Sequence, residues 1–468
     1  MAVELEFYSG KLIYKDIEFD FVFAKSELRL IPPKEKLRET HRWFMKKLED
    51  GAYVDGDPVY IEVPFLKATI NETGQTIVFF PSYSQVGYYN YILTISIDAY
   101  MLNKSDVDEI DRIGFKSTEI DYIYSTKKAL YWPNWDDEGT VSIKTTKFDE
   151  TTSDKQIFSV DGKTVSVYFG ITRTTRVKEG EPPLELHSIM YFEFEKTNDY
   201  SFLIKLWHIA KSFIQYLCYR QNVGLSKAEI SAPAEDGKHK SVATLYIIND
   251  DIEVESNTLS KGRYIKQSHI AGYEGKILED IANNKLYQRH IPLSYSQGRS
   301  IDAARFVMIT AAFEWEFNRC YPDGIPKKAS TIEAEKNATI KLDELISSSS
   351  GRLKNIYKFL KKLIKSDSLQ HKIEQVGKDY ANIIDVFGKH LYSLNGEILK
   401  YNEMGERIAD QRNHFAHGDL DKDFIGNSLL DLIFLEYVIY TIQLKSYGIS
   451  DENIKHIINE LFHCSLAI

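Results

Sequence analysis

The chain of 468 residues is 43% hydrophobic and 27% charged, enough for a large core. That composition excludes a disulfide-stapled miniprotein, a collagen-like repeat and a disordered tail. With 58 basic and 68 acidic residues the formal charge is −10, which excludes a globally basic nucleic-acid binder but not a local basic patch.

In chain order, the first elements read as strands. Residues 12–23 alternate apolar and polar side chains late in the run, and 59–65, 76–80, 91–97, 156–160, 164–169 and 186–194 are rich in Val, Ile, Thr, Tyr and Phe. Polar turns such as Asp161-Gly162 separate them, so the spacing predicts a sandwich or curled sheet. Residues 32–50 carry Leu37, His41, Phe44 and Leu48 at helical spacing and predict a helical insertion. A longer helix is expected over 200–222, with Phe202, Leu206, Ile209, Phe213 and Leu217 as its apolar stripe and Gly224 as a stop. A strand over 242–248 leads into the polar stretch 249–262.

The second half reads as helices over 276–286, 300–321, 353–364, 371–394, 398–417, 428–447 and 451–462, with a serine-rich connector at 347–351. The expected class is α+β: a β-rich, sandwich-like domain with inserted helices over 1–265, then an all-α helical bundle over 266–468. The most apolar stretch, 429–442, is interrupted by Asp431 and Glu436 and is too short to span a bilayer, so it reads as a buried helix and no membrane partner is expected. The opening residues lack the basic and apolar regions of a signal peptide. Cys218, Cys320 and Cys464 form no CxxC pair and read as reduced, buried thiols of a cytoplasmic protein.

The chemistry concentrates in Asp410-Gln-Arg-Asn-His-Phe-Ala-His-Gly-Asp419, at the end of an amphipathic helix with Gly418 as a stop. Arg412 offers a planar fork of donors for a phosphate, and a histidine titrates in the range where it can exchange a proton with a ribose or leaving oxygen. Asn413 and His417 share a helix face, whereas Arg412 and His417 lie five apart, about 140° around the helix. Two copies of the helix would converge them better than one. The spacing alone fits a plain helix end, where cations favour the C-terminal dipole, better than a catalytic site. Asp410, His414 and His417 lack a further ligand, so no metal site is expected. The chain has no P-loop, GxGxxG, GxSxG or HExxH, which removes a sequence warrant for NTP hydrolysis, dinucleotide chemistry or zinc proteolysis.

A basic stripe lies upstream. Lys354, Lys358, Lys361, Lys362 and Lys365 share one helix face, and Leu353, Ile356, Leu360, Leu363 and Ile364 form the other, which is expected to be buried. Such a stripe would attract RNA phosphates, or form an ordinary solvated surface.

Arg412-Asn413-His414-Phe415-Ala416-His417 resembles the RNxxxH motif of HEPN domains, helical bundles that include many metal-independent ribonucleases. The run from Ala304 to Glu314 resembles the first long helix of the ApeA-like HEPN subfamily, and 429–446 with Tyr447-Gly448-Ile449 resembles the apolar helix and glycine turn that close that domain. The helix at 202–222 resembles one inside the N-terminal domain of the same family, although Phe7-Tyr8-Ser9-Gly10-Lys11-Leu12 stands where a tryptophan-rich opening is expected.

The resemblance implies a homodimer whose two motifs face one cleft. His417 would be the general acid or base, Arg412 would hold the scissile phosphate, Asn413 would orient the motif, and Glu314 would pair with Arg412 or position the cleft. His414 would contact RNA nearby. No cofactor is implied. The family architecture implies abortive-infection defence, with a phage-derived trigger sensed by the N-terminal domain. Two other readings stay open: a non-catalytic HEPN scaffold that binds nucleotides or RNA, and a ligand-binding β-sandwich whose helical half dimerises.

Overall fold

The computed structural model describes residues 7–48, 53–105, 108–131, 134–135, 139, 141–235, 237–248, 255–364, 367–418, 424 and 426–467. The chain is mixed α+β, with strands predominating in the N-terminal part and helices in the C-terminal half. It divides into two compact units. One is Met1–Ser260 with Lys266–Asn283, and the other is Lys261–Ile265 with Asn284–Ile468.

The first unit is built on one sheet of thirteen strands: β1 (Phe7–Tyr14), β2 (Ile17–Ala24), β3 (Glu27–Ile31), β4 (Leu66–Ile70), β5 (Thr76–Pro81), β6 (Gly87–Tyr89), β7 (Ile92–Asn103), β8 (Ile110–Phe115), β9 (Gln156–Val160), β10 (Lys163–Thr175), β11 (Leu184–Thr197), β12 (Lys227–Pro233) and β13 (His239–Ile247). Strands β7-β3-β2-β1-β4-β5 pair in that order, and β5 pairs back onto β7 from Ile77↔Leu102 to Phe80↔Ala99. The ring is thus closed, so six of the thirteen strands form an antiparallel barrel, the curled-sheet form of the expected fold rather than a sandwich.

Alternation explains its interior. Ile17, Phe19, Phe21 and Phe23 of β2 point inward between outward Glu18, Asp20 and Val22. They meet Leu12, Leu28, Leu30, Ala68, Phe79 and Ile95 in one core. The β1–β2 connection is a two-residue turn with Lys15 and Asp16 at φ 48° and 60°, the left-handed pair that matches strand twist.

The far half of β7 pairs with β13, and the sheet continues β13-β12-β8-β11-β10-β9. Helix α1 (Ser201–Cys218) buries Phe202, Leu206, Ile209, Phe213 and Leu217, the stripe read from the sequence. Helix α2 (Glu274–Ala282) packs on β9 and α1 and so belongs to the first unit, although the sequence reading set it beyond the 265/266 boundary.

The expected helical insertion over 32–50 is mostly something else. Only Leu37–Arg42 is α-helical, and Met45–Lys47 is a strand paired with Tyr53–Asp55. The aromatic spacing there serves the barrel: Trp43 meets Tyr14 edge-on at 5.9 Å, and Phe44 stacks on Tyr88 at 4.3 Å.

The second unit holds α3 (Ala303–Cys320), α4 (Ala329–Ser348), α5 (Gly351–Ile364), α6 (Leu369–Asp379), α7 (Ala381–Leu394), α8 (Tyr401–Ala416), α9 (Ser428–Tyr447) and α10 (Asp451–Leu461). Helix α9 is apolar nearly all round and buried to match, packed by α3, α7, α8 and α10. The single helix expected over 371–394 is broken at Tyr380 (φ −113°, ψ 13°), because α6 lies on α8 while α7 turns to α9 and α10.

Helix α4 has no counterpart in the sequence reading. It buries none of its residues and packs on α5. The apolar side of α5 is also not buried as expected: Leu353, Ile356, Phe359, Leu360 and Leu363 are all exposed. Of the cysteines, all free, Cys218 is buried and burial pushes its thiol up to about 12, but Cys320 and Cys464 are only half-buried.

Candidate functional site

Helix α8 carries the RNxxxH residues, and its buried side chains fix which way they face. Met404, Ile408, Gln411 and Phe415 form the inward stripe at spacings of three and four. Gly405 lets the α8 backbone approach α6 closely, since a Cβ there would lie 2.9 Å from the Gln370 Cα. Arg407 grips the fully buried Asp431 of α9 with two bonds, Nε–Oδ2 at 2.7 Å and Nη2–Oδ1 at 2.8 Å, and the Tyr392 hydroxyl donates to the same carboxylate. At the far end Phe415 packs edge-on against Phe306 of α3 at 5.5 Å and against Phe424 at 5.6 Å. These anchors leave Asn413 and His417 on the outer side and Arg412 at its edge, beside α3.

Arg412 is half-buried and reaches α3. Its Nη2 lies 2.7 Å from Oε2 of Glu314, so the structure brings together these two of the expected residues. The other carboxylate oxygen of Glu314 lies 3.7 Å from Nζ of Lys372 on α6. Lys372 is nearly buried, donates to Asn318 Oδ1 at 3.3 Å and sits 5.4 Å from the centre of the Phe317 ring. The result is a polar row, Asn318–Lys372–Glu314–Arg412, drawn from three helices. Glu314 and Asn318 share a face of α3 because they are four apart. Glu316, two residues on, is turned the other way: it is fully buried, with Arg319 Nε at 2.7 Å and Gln443 Nε2 at 3.0 Å.

A cleft of about 840 Å³ lies at the end of this row, lined in part by Asn318, Tyr321, Lys327, Asp367 and Lys372. Sequence reasoning missed Lys372 and Asn318. Asn318 was within reach as the helix-face neighbour of Glu314, but nothing local marks Lys372, which meets the site only through the fold.

Helix α8 ends as Gly418 turns to φ 92°, and His417 is its cap, with its N–H on the Asn413 carbonyl at 3.1 Å. Asn413 and His417 are exposed and His414 is half-buried. No contact joins His417 to Arg412 within the chain among the described residues. The arginine turns to α3, and the histidine caps the helix end, exposed.

On α5, Lys354, Lys358 and Lys362 have no ion-pair partner among the described residues, whereas Lys361 is held by Asp343 of α4, with Nζ–Oδ2 at 2.7 Å. Lys365 lies outside the described residues. Among the described residues no group of three or more His, Cys, Asp or Glu side chains could hold a metal, and no helix is long and apolar enough to cross a membrane. The chain matches no protein-family model and no curated protein sequence.

Proposed function

We propose that the chain is a HEPN-type endoribonuclease that acts without a metal, serving as a cytoplasmic anti-phage effector held in check through its N-terminal unit. The observation that carries this is Arg412, gripped by Glu314 through one nitrogen with no other ion pair among the described residues, on a helix whose end presents His417. RNA supplies its own nucleophile. The 2′-oxygen bonds to the adjacent phosphorus and the P–O5′ bond breaks, leaving a 2′,3′-cyclic phosphate and a 5′-hydroxyl. His417 takes the 2′-OH proton or delivers one to the departing oxygen, and Arg412 stabilises the added charge on the phosphoryl oxygens. Glu314 positions Arg412, and Asn413 orients the motif or contacts RNA. A homodimer sets a second His417 across the cleft, which supplies the acid–base pair that one chain does not converge.

The test is RNA cleavage in EDTA, wild type beside His417→Ala, with the product ends mapped. Cleavage that leaves cyclic phosphate and disappears in the variant supports the reading. The separation of Arg412 from His417 within one chain favours a second reading, a HEPN scaffold that binds RNA or nucleotides without cutting. A folded dimer that binds RNA, and whose toxicity in cells does not depend on His417, would establish it instead.

A further inference from the structure

We propose that the α4–α5 hairpin docks on an anionic lipid surface, with the apolar side of α5 at the headgroup–acyl boundary and its lysines among the lipid phosphates. Leu353, Ile356, Phe359, Leu360 and Leu363 are between 41% and 60% exposed. At about 100° per residue they fall on one arc of the helix. Contiguous large apolar side chains in water mark a surface that something covers.

The remainder of α5 narrows down what covers it. The helix carries Arg352, Lys354, Lys358, Lys361 and Lys362 and no acidic residue. Asp343 neutralises Lys361, and no ion pair engages the other four among the described residues. RNA would satisfy these cations but leave the leucines and isoleucine in water, since aliphatic side chains give bases no stacking platform. A second copy would cover the apolar arc but leave the lysines, which lie on the opposite face, without counter-charge. An anionic lipid surface satisfies both faces at once, as in helices that lie in the plane of a membrane interface. The proposal is independent of the nuclease reading, because it uses neither α3 nor α8.

The experiment is co-flotation of the full chain with vesicles of phosphatidylcholine alone or mixed with phosphatidylglycerol. The expected result is flotation with the mixed vesicles only, weakened by salt. The double variants Phe359→Ser/Leu363→Ser and Lys358→Ala/Lys362→Ala each lower partitioning roughly tenfold or more. Matching unfolding curves establish that both variants fold, as expected for exposed positions. Absence of flotation overturns the proposal, as does equal flotation with neutral vesicles. RNA binding that survives the serine variant, without vesicle binding, returns the lysines to RNA. A dimer that the serine variant dissociates, without vesicle binding, assigns the face to a second copy.

Discussion

Glu314 is shared by two cations, Arg412 with Nη2 at 2.7 Å on one oxygen and Lys372 with Nζ at 3.7 Å on the other. The carboxylate thereby ties α8 to α3 and α6. It would also compete with a phosphate for Arg412, so on the proposed reading the arginine is oriented and partly neutralised before RNA binds. Glu314→Gln keeps the shape and removes the charge. Cleavage should fall roughly ten- to a hundredfold as the arginine loses its orientation. Stability should change by less than about 1 kcal/mol, because the pair is partly exposed. Arg412→Lys should lose cleavage as well, since a point charge does not replace the fork. RNA cleavage rates beside urea unfolding curves check both variants, and full activity in Glu314→Gln would reduce the pair to a surface contact.

His417 stands beyond the last turn of α8 and is exposed. His417→Ala should therefore leave stability within about 0.5 kcal/mol while lowering cleavage by about two to four orders of magnitude. A large stability loss in the variant would mark the ring as structural.

The orientation of α8 depends on its close crossing with α6. A methyl group at Gly405 would meet backbone, the Gln370 Cα at 2.9 Å. Gly405→Ala should destabilise the helical unit by about 1–3 kcal/mol and lower cleavage by displacing Arg412, although residue 405 lies two turns away from it. Denaturant unfolding and single-turnover cleavage measure the two effects, and an unaffected variant would show that the crossing can relax.

Acid should weaken the helical unit through His290. The ring is fully buried between Tyr287 and Tyr440, and burial, with a smaller contribution from Arg305, lowers its pKa from 6.5 to about 3. The folded chain keeps it neutral, so below about pH 6.5 the unfolded chain binds the proton first. This contribution to stability is level above that pH and declines by about 1.4 kcal/mol per unit between there and about pH 3. His290→Gln should flatten that slope. Unfolding curves at pH 7, 6 and 5 for both proteins give the difference, and parallel slopes would contradict it.

The elements legible in the sequence were those whose side chains pack. The stripe of α1 follows from apolar periodicity and α9 from an unbroken apolar run, because both are buried against neighbours. Helix α4 was not legible, since it buries nothing and so carries no stripe. Helix α5 was legible as a helix, yet its apolar face misled, because periodicity reports which side chains share a side and not whether anything covers it. Strand alternation foretold the inward residues of β2, but closure of the barrel depends on β5 meeting β7, a pairing no local pattern encodes. At the site the motif was visible and Glu314 followed from the resemblance, while Lys372 is 58 residues from Glu314 along the chain and enters only through tertiary packing.

Strand β7 is a member of both the closed ring and the open sheet that continues from it. Neither part is therefore a separable module. Cutting the chain after residue 103 would keep the ring but strip β7 of its β13 partner, and cutting before 92 would open the ring and expose two raw strand edges to other chains. The N-terminal unit should melt in one cooperative step, and during synthesis its barrel waits on β7 to close.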